Sequence, residues 1–400
     1  MGEYQEARGR VLTWGFFFLL LMLPFCGFVS PKSASVIVPF ASLVIIVGYV
    51  WAGGIVGVLQ SRVWIAVATL ISLIVLSTLW APDKEVASER VFKLLAFFPI
   101  GISLCLMANR SKDIGGDTAR KMLLLGFGIG VVLLAWAVLT AGGLFALLNP
   151  DVPLIEAPSG NNRGAVILVL LATAAMLTAR RLSWQTWMWA GMAGLAVILF
   201  FAASQTALMG FLVWAIVFGS AIAAPGLTRS LIIWGGAAFI LAQPFLVLGV
   251  ELMDPSRSLD LTSASVGARL DVWIAVAHKT MEAPIFGHGI EATRSITDWA
   301  NEFLYFGGRK VPHPHNGILQ IWVELGLVGA MLAALMWVTL TRWIDRFVRE
   351  DQPALFALSA CFLVITGISH GLWQSWWLWG VFGVAAVTLT QLREGISTPS

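Results

Sequence analysis

Two histidines and an asparagine stand directly before a long apolar run, in the stretch 311–332, VPHPHNGILQIWVELGLVGAML. Pro314 suits the start of a helix, which predicts that His315 and Asn316 occupy its first turn. The open N–H groups of a helix start attract phosphate, and its partial positive charge disfavours an imidazolium. His315 is therefore predicted to be neutral and able to accept a proton. Alternatively, it is an interfacial histidine that only binds a loop.

The apolar run itself contains two glycines and one acid. Gly326 is eleven residues after His315, about three helical turns, so the two are predicted to share a helix face, with Gly329 close to it. Small residues there admit a neighbouring helix or a lipid chain, or they serve packing alone. Glu324 falls roughly opposite. A carboxylate inside a membrane needs a partner or a role, because inserting a charge costs ~3 kcal/mol.

Two arginines are candidates to accompany the histidine. Arg163, in GNNRGAV, precedes another apolar run, and Arg269 lies four residues before Trp273 on a predicted amphipathic helix. Guanidinium groups match phosphate oxygens bidentately, which favours a pyrophosphate site. Alternatively, Arg163 extends to lipid headgroups and Arg269 pairs with an acid such as Asp271.

Other polar residues are weaker candidates. Lys84, Arg90 and Lys93 lie in the amphipathic stretch 81–97 and could contact a lipid phosphate, although a solvated or headgroup-facing stripe is the simpler explanation. The remaining histidines of interest lie in turns and loops: His288, His313 and His370. DxD, HExxH, GxSxG and Walker A motifs are absent from the sequence. The usual marks of a metal-dependent sugar transferase, a zinc protease, a serine hydrolase and an ATPase are therefore missing.

The elements that must position these residues are membrane helices. The chain has 400 residues, of which 58% are hydrophobic and 12% charged, about half the charged share of a soluble domain. Apolar runs of about 20 residues recur, long enough to cross a bilayer. Nineteen tryptophans suit its interfaces. A net charge of +3 is too small to indicate nucleic acid as a partner.

The sequence predicts an all-α polytopic membrane protein with about twelve transmembrane helices. The predicted spans are 11–29, 35–58, 63–80, 94–108, 122–147, 164–179, 186–203, 206–225, 230–252, 317–340, 353–369 and 372–391. Fourteen of the 25 lysines and arginines fall in short segments on one side, which predicts that both termini are cytoplasmic. The chain then divides into helices 1–9 in residues 1–252, one large outward segment at 253–316, and helices 10–12 with the tail at 317–400.

The outward segment is predicted to contain one amphipathic helix. Within 265–284, apolar residues share one helical face: Leu270, Trp273, Ile274, Ala277 and Met281. Pro284 is expected to end the helix. Such a helix would lie along the membrane surface or pack on the bundle.

The residues around the histidine resemble a known signature. His315-Asn316, nine residues and then Gly326-Leu-Val-Gly329 are similar to the His-[Asn/Ser/Gln]-x9-Gly-x-x-Gly pattern of the bacterial O-antigen ligase family. Three further patterns resemble the shared core of the wider ligase and polymerase superfamily: Arg269-x3-Trp273, Pro284-x2-Gly287-x-Gly289 and His315-Asn316-x3-Gln320-x3-Glu324-Leu-Gly326. The resemblance is strong over about 265–332 and separates ligase from polymerase poorly.

This resemblance implies a GT-C-type glycosyltransferase of the bacterial inner membrane. It implies transfer of a glycan from undecaprenyl diphosphate to a lipid A-core sugar on the periplasmic face, with no metal or other cofactor. By matching position, His315 is the general base, Arg269 a diphosphate ligand and Arg163 the family's other outward arginine. Residues expected to support them are Asn316, Gly326, Gly329, Glu324, His313, Lys84 and Arg90. The expected partners are the lipid-linked donor, the lipid A-core acceptor and membrane lipids.

The implied chemistry suits these residue types. An acceptor hydroxyl attacks the anomeric carbon with inversion, and a neutral His315 takes its proton. Two arginines and a helix N-terminus stabilise the leaving diphosphate in place of a metal. Three alternatives remain open: a polymerase of lipid-linked repeat units, a protein O-oligosaccharyltransferase, and a transporter of lipid-linked glycans. A transporter is expected to show polar residues at the bilayer midplane and internal repeats.

Overall fold

The computed structural model describes residues 2–111, 114–152, 156–253, 264–297 and 312–393, with the backbone alone described at 2–8 and 264–266. These ranges contain helices and no strand. In chain order the helices are α1 (Gly2–Met22), α2 (Ala34–Trp51), α3 (Ile55–Leu59), α4 (Val63–Ser77), α5 (Lys84–Arg110), α6 (Gly116–Leu139), α7 (Gly143–Leu148), α8 (Asn162–Arg181), α9 (Gln185–Phe201), α10 (Gln205–Ala223), α11 (Pro225–Ser230), α12 (Gly236–Leu252), α13 (Ala264–Glu282), α14 (Ala292–Ser295), α15 (Gly317–Trp343), α16 (Gln352–Ile368) and α17 (Ser375–Thr390).

The described helices account for all twelve predicted spans. Seven helical stretches are long and apolar enough to cross a membrane: Ala34–Trp51, Lys84–Arg110, Gly116–Leu139, Ala157–Arg181, Gln205–Ala223, Pro225–Leu252 and Gly317–Arg346. Five shorter apolar helices lie at Gly9–Phe25, Val63–Ser77, Gln185–Phe201, Gln352–Ile368 and Ser375–Thr390. Each of the twelve coincides with one predicted span, so the prediction of an all-helical polytopic membrane protein is confirmed. The direction in which the helices cross the membrane stays a prediction.

Helix α8 lies at the centre of the bundle. Every residue from Gly164 to Ala179 is buried, and α6, α9, α10, α16 and α17 pack around it. A helix that is apolar on all sides is buried on all sides in a bundle of this kind. Arg163 precedes this buried run, so the central helix carries a guanidinium at its beginning.

Helix α5 begins much earlier than its predicted span. Asp83 is its N-cap, and its side chain accepts hydrogen bonds from the N–H groups of Glu85 and Val86 at 3.0 and 3.1 Å. A capping aspartate satisfies the open donors of a first turn, which allows the helix to start at the edge of the polar stretch. Lys84 and Arg90 therefore lie within a continuous helix, which joins the predicted amphipathic stretch 81–97 to the predicted span 94–108.

The predicted amphipathic helix is present as α13, and Pro284 lies two residues beyond its end. It packs against α12 and α15. The fully buried positions include Val272 and Val276 as well as Ala277, whereas Leu270 and Met281 are only partly buried. The packed face is therefore rotated relative to the predicted stripe, because α13 contacts two helices at once.

Candidate active site

The loop before α15 holds two of the histidines. Asn316 is the N-cap of α15, and its Oδ1 accepts hydrogen bonds from the N–H groups of Ile318 and Leu319, each at 3.0 Å. His315 therefore lies before the helix, and the prediction that both residues occupy its first turn is wrong. An asparagine satisfies the open N–H groups best as a cap, which explains the shift.

His315 is held in an unusual conformation with one ring nitrogen bound and one free. Its φ is +52°, a left-handed value that few residues other than glycine adopt. Nδ1 lies 3.1 Å from the carbonyl oxygen of Ser369. A carbonyl can only accept, so Nδ1 carries the proton and Nε2 holds the lone pair. No described residue forms a hydrogen bond with Nε2.

The surroundings of His315 keep its ring neutral. Burial lowers its pKa, the hydrogen bond to Ser369 opposes this change, and the charge of Arg269 adds to the lowering. A histidine whose pKa lies below its ordinary value is unprotonated at neutral pH. Nε2 is therefore available to accept a proton.

The connection between α16 and α17, residues 369–374, contacts both histidines of the loop. Nε2 of Gln374 donates to Nε2 of His313 at 3.0 Å, and Oε1 of Gln374 accepts from Nε1 of Trp376 at 2.8 Å. The rings of His313 and His315 lie 4.3 Å apart between centroids. Burial, and then the repulsion that a protonated His315 would exert, lower the pKa of His313 to about 3, and the charges of nearby arginines add to the lowering. Both rings are thus neutral.

A third histidine lies in the same connection. The ring of His370 stands at 88° to that of Trp376, with centroids 4.6 Å apart. Burial lowers the pKa of His370 well below its ordinary value, and the charges of Arg163 and Arg269 contribute to the lowering. Its buried Nε2 has no hydrogen-bond partner among the described residues. The charges of Arg163 on α8 and Arg269 on α13 thus both act on this ring.

Arg163 reaches this group from the start of α8. Its guanidinium carbon lies 5.0 Å from the ring centroid of Trp376, and Nη1 donates to the carbonyl oxygen of Pro31 at 2.9 Å. The turn that contains Pro31 can lie this close because Gly27 has a φ of +91°, and a Cβ there would be 2.4 Å from the nitrogen of Gly164. Within the described chain, no carboxylate pairs with Arg163.

Arg269 reaches the group from α13. Trp273, one turn later, donates its indole N–H to the carbonyl oxygen of Pro314 at 2.9 Å. Positions four apart share a helix face, so this bond turns the Arg269 side of α13 toward the loop that holds His315. Burial lowers the pKa of Arg269, and no described residue forms a hydrogen bond or ion pair with it. The anchor explains the Arg-x3-Trp spacing.

These side chains form an electropositive group that is fitted to an anion. It contains two guanidiniums without acidic partners in the described chain and three neutral imidazoles. Unpaired guanidiniums bind phosphate oxygens strongly, and a free imidazole nitrogen beside them can take a proton. Over the described ranges, no set of three or more His, Cys, Asp or Glu is arranged to hold a metal ion.

Helix α15 is broken at Gly326, whose φ and ψ are +62° and −158°. The segment 284–289 enters this break. Four hydrogen bonds join the two: His288 N to Val323 O, Gly289 N to Glu324 O and Leu327 N to Pro284 O, each at 2.8 Å, and Val328 N to Ile285 O at 3.2 Å. In a continuous helix, Leu327 N would donate to Val323 O, and Val328 N would donate to Glu324 O. At the break, these four backbone groups of α15 bond to the inserted segment instead.

The break explains the glycines of the two motifs. A Cβ on Gly326 would lie 2.4 Å from the backbone of Ile285, and one on Gly287 would lie 2.5 Å from the backbone of Glu324. At Gly329, the side chain of Leu325 fills the space that a Cβ would need. The expectation that Gly326 and His315 share a continuous helix face is wrong. The neighbour that the glycine admits is a segment of the same chain.

Glu324 is fully buried and hydrogen-bonded through both carboxyl oxygens. Oε1 accepts from Nε2 of Gln320 at 2.9 Å, and Oε2 accepts from Nε1 of Trp373 at 2.6 Å. Oε1 of Gln320 in turn accepts from the backbone N–H of Leu372 at 2.7 Å. The acid thus has the partners that burial in a membrane requires.

Arg90 holds the same connection from α5. Its Nη1 donates to the carbonyl oxygen of Trp373 at 2.7 Å, and its Nε pairs with the carboxylate of Glu291. Arg294 also pairs with Glu291. Lys84, in contrast, is exposed at the start of α5 and forms no hydrogen bond or ion pair with a described residue. Of these two sequence candidates, only Arg90 contacts the elements around the histidines.

Sequence reasoning missed most of the 369–374 connection. It singled out His370 but not Ser369, Trp373 or Gln374, which make the contacts described above. The available signal was the stretch HGLWQSWW at 370–377, where polar residues and three tryptophans stand between two apolar runs. Such clusters suit a site at a helix end, since indole N–H groups need acceptors when they are buried.

Comparisons with known proteins agree with the sequence resemblance. Residues 158–334 match a family model described as O-Antigen ligase. This segment contains Arg163, Arg269, His315 and Glu324, whereas the 369–374 connection lies outside it. No solved structure matches the chain.

Several similar proteins come from Rickettsia and carry the name "Putative polysaccharide ligase". That of Rickettsia conorii is 33% identical over 142 residues, which is 34% of this chain and 34% of that protein. That of Rickettsia typhi is 30% identical over 140 residues, or 34% of this chain and 35% of that protein. That of Rickettsia bellii is 30% identical over 182 residues, 44% of each. The chain thus spans about a third of the length of the first two relatives.

Proposed function

We propose that this chain, in which residues 158–334 match the O-antigen ligase family model, transfers a glycan from undecaprenyl diphosphate to a sugar of the lipid A-core. The reaction takes place on the periplasmic face of the bacterial inner membrane, inverts the anomeric carbon and uses no metal. The observation that carries the proposal is the free, neutral Nε2 of His315, together with the charges of Arg163 and Arg269, which both act on the ring of His370 in the same group and have no acidic partner in the described chain.

In the proposed reaction, the acceptor hydroxyl oxygen forms a bond to the anomeric carbon while the bond from that carbon to the phosphate oxygen breaks. The hydroxyl proton moves to Nε2 of His315, which becomes an imidazolium. A base of this kind contributes typically 10²–10⁴ to the rate. A single attack from the side opposite the diphosphate gives inversion.

Arg163 and Arg269 hold the diphosphate and stabilise the negative charge that it gains on leaving. A preorganised cation in a water-poor site stabilises developing charge strongly. Both guanidiniums are partly buried and lack acidic partners in the described chain, so they meet the anion without first breaking an ion pair.

The periplasmic location rests on the distribution of charge along the chain. Pro31, Arg163, Arg269, His315 and Ser369 come from connections that the lysine and arginine bias predicts to face outward. Their convergence at one end of the bundle supports the alternation of the helices, since a wrong alternation would have separated them, and the lysine and arginine bias assigns that end to the periplasm.

Two observations bear on the competing functions. The family description and the names of the relatives support ligation over polymerisation or transfer to protein. Arg163 lies at the start of α8, His315 directly before α15, and Arg269 on α13 in the segment predicted to face outward, which supports an enzyme over a transporter with a midplane site.

The test is a transfer assay with purified protein in detergent and an undecaprenyl-diphosphate-linked glycan labelled on the sugar. Lipid A-core, lipid-linked repeat units and an acceptor peptide are offered separately as acceptors. Product on lipid A-core alone supports the proposal. Elongation of the lipid-linked donor or labelling of the peptide in its place would overturn it.

A further inference from the structure

We propose that Glu324 is a positioning residue, which holds the 369–374 connection through Trp373 so that Ser369 orients His315 with Nε2 free. The effect on catalysis rests on the function proposed above. The effect on the His315 ring rests only on the contacts between the described residues.

The first step is the polarity of the hydrogen bonds around Glu324. Its two carboxyl oxygens accept from the side chains of Gln320 and Trp373. Each oxygen therefore faces one donor. A carboxylate suits such a position, because both of its oxygens accept hydrogen bonds.

The second step is that the side chains of Gln320 and Glu324 bind two consecutive residues of the 369–374 connection. Gln320 accepts from the N–H of Leu372, and Glu324 accepts from the indole of Trp373. Gln320 and Glu324 are four residues apart, so they lie on the same face of α15. The connection is thereby fixed relative to the helix that His315 precedes.

The third step is what the fastened connection does. Ser369 accepts the Nδ1–H of His315, and Gln374 donates to His313. A carbonyl that accepts from Nδ1 fixes both the tautomer and the direction of the ring, as seen for histidines held by a second group. Displacement of the connection would therefore change the direction in which Nε2 points.

The fourth step explains why a glutamine cannot replace the glutamate. In Glu324→Gln one oxygen becomes an amino group, which then faces the N–H of either Trp373 or Gln320. Gln320 cannot correct this by turning its amide, because its own oxygen already accepts from Leu372. Every arrangement leaves one donor against another donor, so the connection must move.

This argument predicts rescue by a second substitution. Trp373→Phe removes one of the donors, and the amino group that Glu324→Gln introduces then faces an aromatic ring in place of an N–H. The double variant should therefore be less impaired than the sum of its two single effects predicts. Trp322→Phe is the matched control, since Trp322 lies on the same helix and donates to Ile240 O at 2.8 Å.

The experiment compares the wild type with Glu324→Gln, Trp373→Phe, the double variant and Trp322→Phe. Steady-state kinetics give kcat and the KM for the lipid-linked donor. Mass spectrometry follows carbethoxylation of His315 by diethyl pyrocarbonate across pH 5–8, and fragment ions separate it from His313. Thermal unfolding in the same detergent controls for folding.

For Glu324→Gln we expect kcat to fall at least about tenfold while the KM for the donor stays within about threefold. The pH profile of His315 carbethoxylation should shift, and both changes should recover in the double variant, while Trp322→Phe resembles the wild type. The proposal would be overturned if Glu324→Gln kept the wild-type kcat and the wild-type pH profile of His315 carbethoxylation. It would also be overturned if the loss of kcat in the double variant equalled the product of the two single losses. If the wild type transfers no glycan, the proposed function fails. The carbethoxylation profiles alone then decide the role of Glu324.

Discussion

The carbonyl oxygen of Ser369 faces Nδ1 of His315 at 3.1 Å, across 54 residues of sequence. This contact decides which ring nitrogen can act as a base, because the nitrogen that donates to a carbonyl cannot also accept a proton. It leaves Nε2 as the acceptor, on the loop that Trp273 of α13 contacts at Pro314. The chemistry of the site therefore depends on the connection between α16 and α17 as much as on the histidine itself.

Replacement of His315 by alanine tests the base directly. We expect His315→Ala to lower the transfer rate at least about 10²-fold, while binding of the donor changes little, because the arginines remain. Initial rates and donor binding are measured on the same preparation. His278→Ala is the matched control, since His278 lies on α13 and pairs with Glu251 at 2.7 Å. A His315→Ala variant that keeps more than about a tenth of the rate would contradict the base.

The pH dependence of transfer follows from the lowered pKa of His315, whose largest cause is burial. The base acts in its neutral form, so the rate should hold as pH falls through about 6.5 and decline only below that value. Arg269→Gln removes a charge that lowers this pKa, and its acid limb should move upward. The measurement is kcat/KM from pH 4.5 to 8 for both proteins. A wild-type kcat/KM that already declines above pH 6.5 would be inconsistent with this site. So would an acid limb that moves to lower pH in Arg269→Gln.

Some of the site could be predicted from the sequence because its residues have types suited to the chemistry. His315 and the two arginines stand out among apolar neighbours, and the twelve spans follow from hydropathy alone. The predicted start of α15 is wrong by a few residues. Pro314 indicates only that a helix starts nearby, whereas the capping side chain of Asn316 determines the first helical residue.

The rest of the site depends on contacts that carry no signal of residue type. A backbone carbonyl such as that of Ser369 belongs to every residue, so no pattern marks it as the partner of His315. The break at Gly326 is similar, since a glycine in an apolar run also suits close helix packing. Only the inserted segment 284–289 shows that this glycine ends one half-helix and begins another.

Substitution at Gly326 tests the broken helix. Gly326→Ala places a Cβ 2.4 Å from the backbone of Ile285, at a φ of +62° that alanine rarely adopts. Backbone strain of this kind costs of order 1–3 kcal/mol, before any displacement of the inserted segment. We expect a clear loss of thermal stability in detergent. Gly194→Ala is the control, because Gly194 lies in α9 with open space around it, and it should be neutral or stabilising by up to ~1 kcal/mol. Equal unfolding temperatures for the two variants would contradict the structure.

Chelation tests whether arginines take the place of a metal. If Arg163 and Arg269 stabilise the leaving diphosphate, transfer should persist in EDTA at the same rate as in its absence. The assay compares untreated protein, protein dialysed against EDTA, and the dialysed protein with Mg²⁺ or Mn²⁺ restored. Activity that is lost on dialysis and returns with the cation would rule out this mechanism.

A comparison of Arg269 with Lys84 tests which basic residue grips the diphosphate. Arg269 is partly buried and lacks a described partner beside the His315 loop, whereas Lys84 is exposed at the start of α5. Arg269→Lys keeps the charge but loses the paired hydrogen bonds of the guanidinium fork. One charge-assisted hydrogen bond contributes about 1.5–3 kcal/mol, so kcat/KM should fall roughly ten- to a hundredfold.

Lys84→Ala is expected to change the rate less than about threefold, because exposed charges usually contribute under 1 kcal/mol. Both variants are measured against donor concentration in one detergent, with unfolding temperatures to confirm that they fold. If the guanidinium fork of Arg269 binds phosphate, the loss of kcat/KM in Arg269→Lys should exceed the loss in Lys84→Ala by at least about threefold. A wild-type rate in Arg269→Lys together with a failure of Lys84→Ala would place the diphosphate at the start of α5. In that case the Trp273 anchor on α13 would serve only to pack the His315 loop.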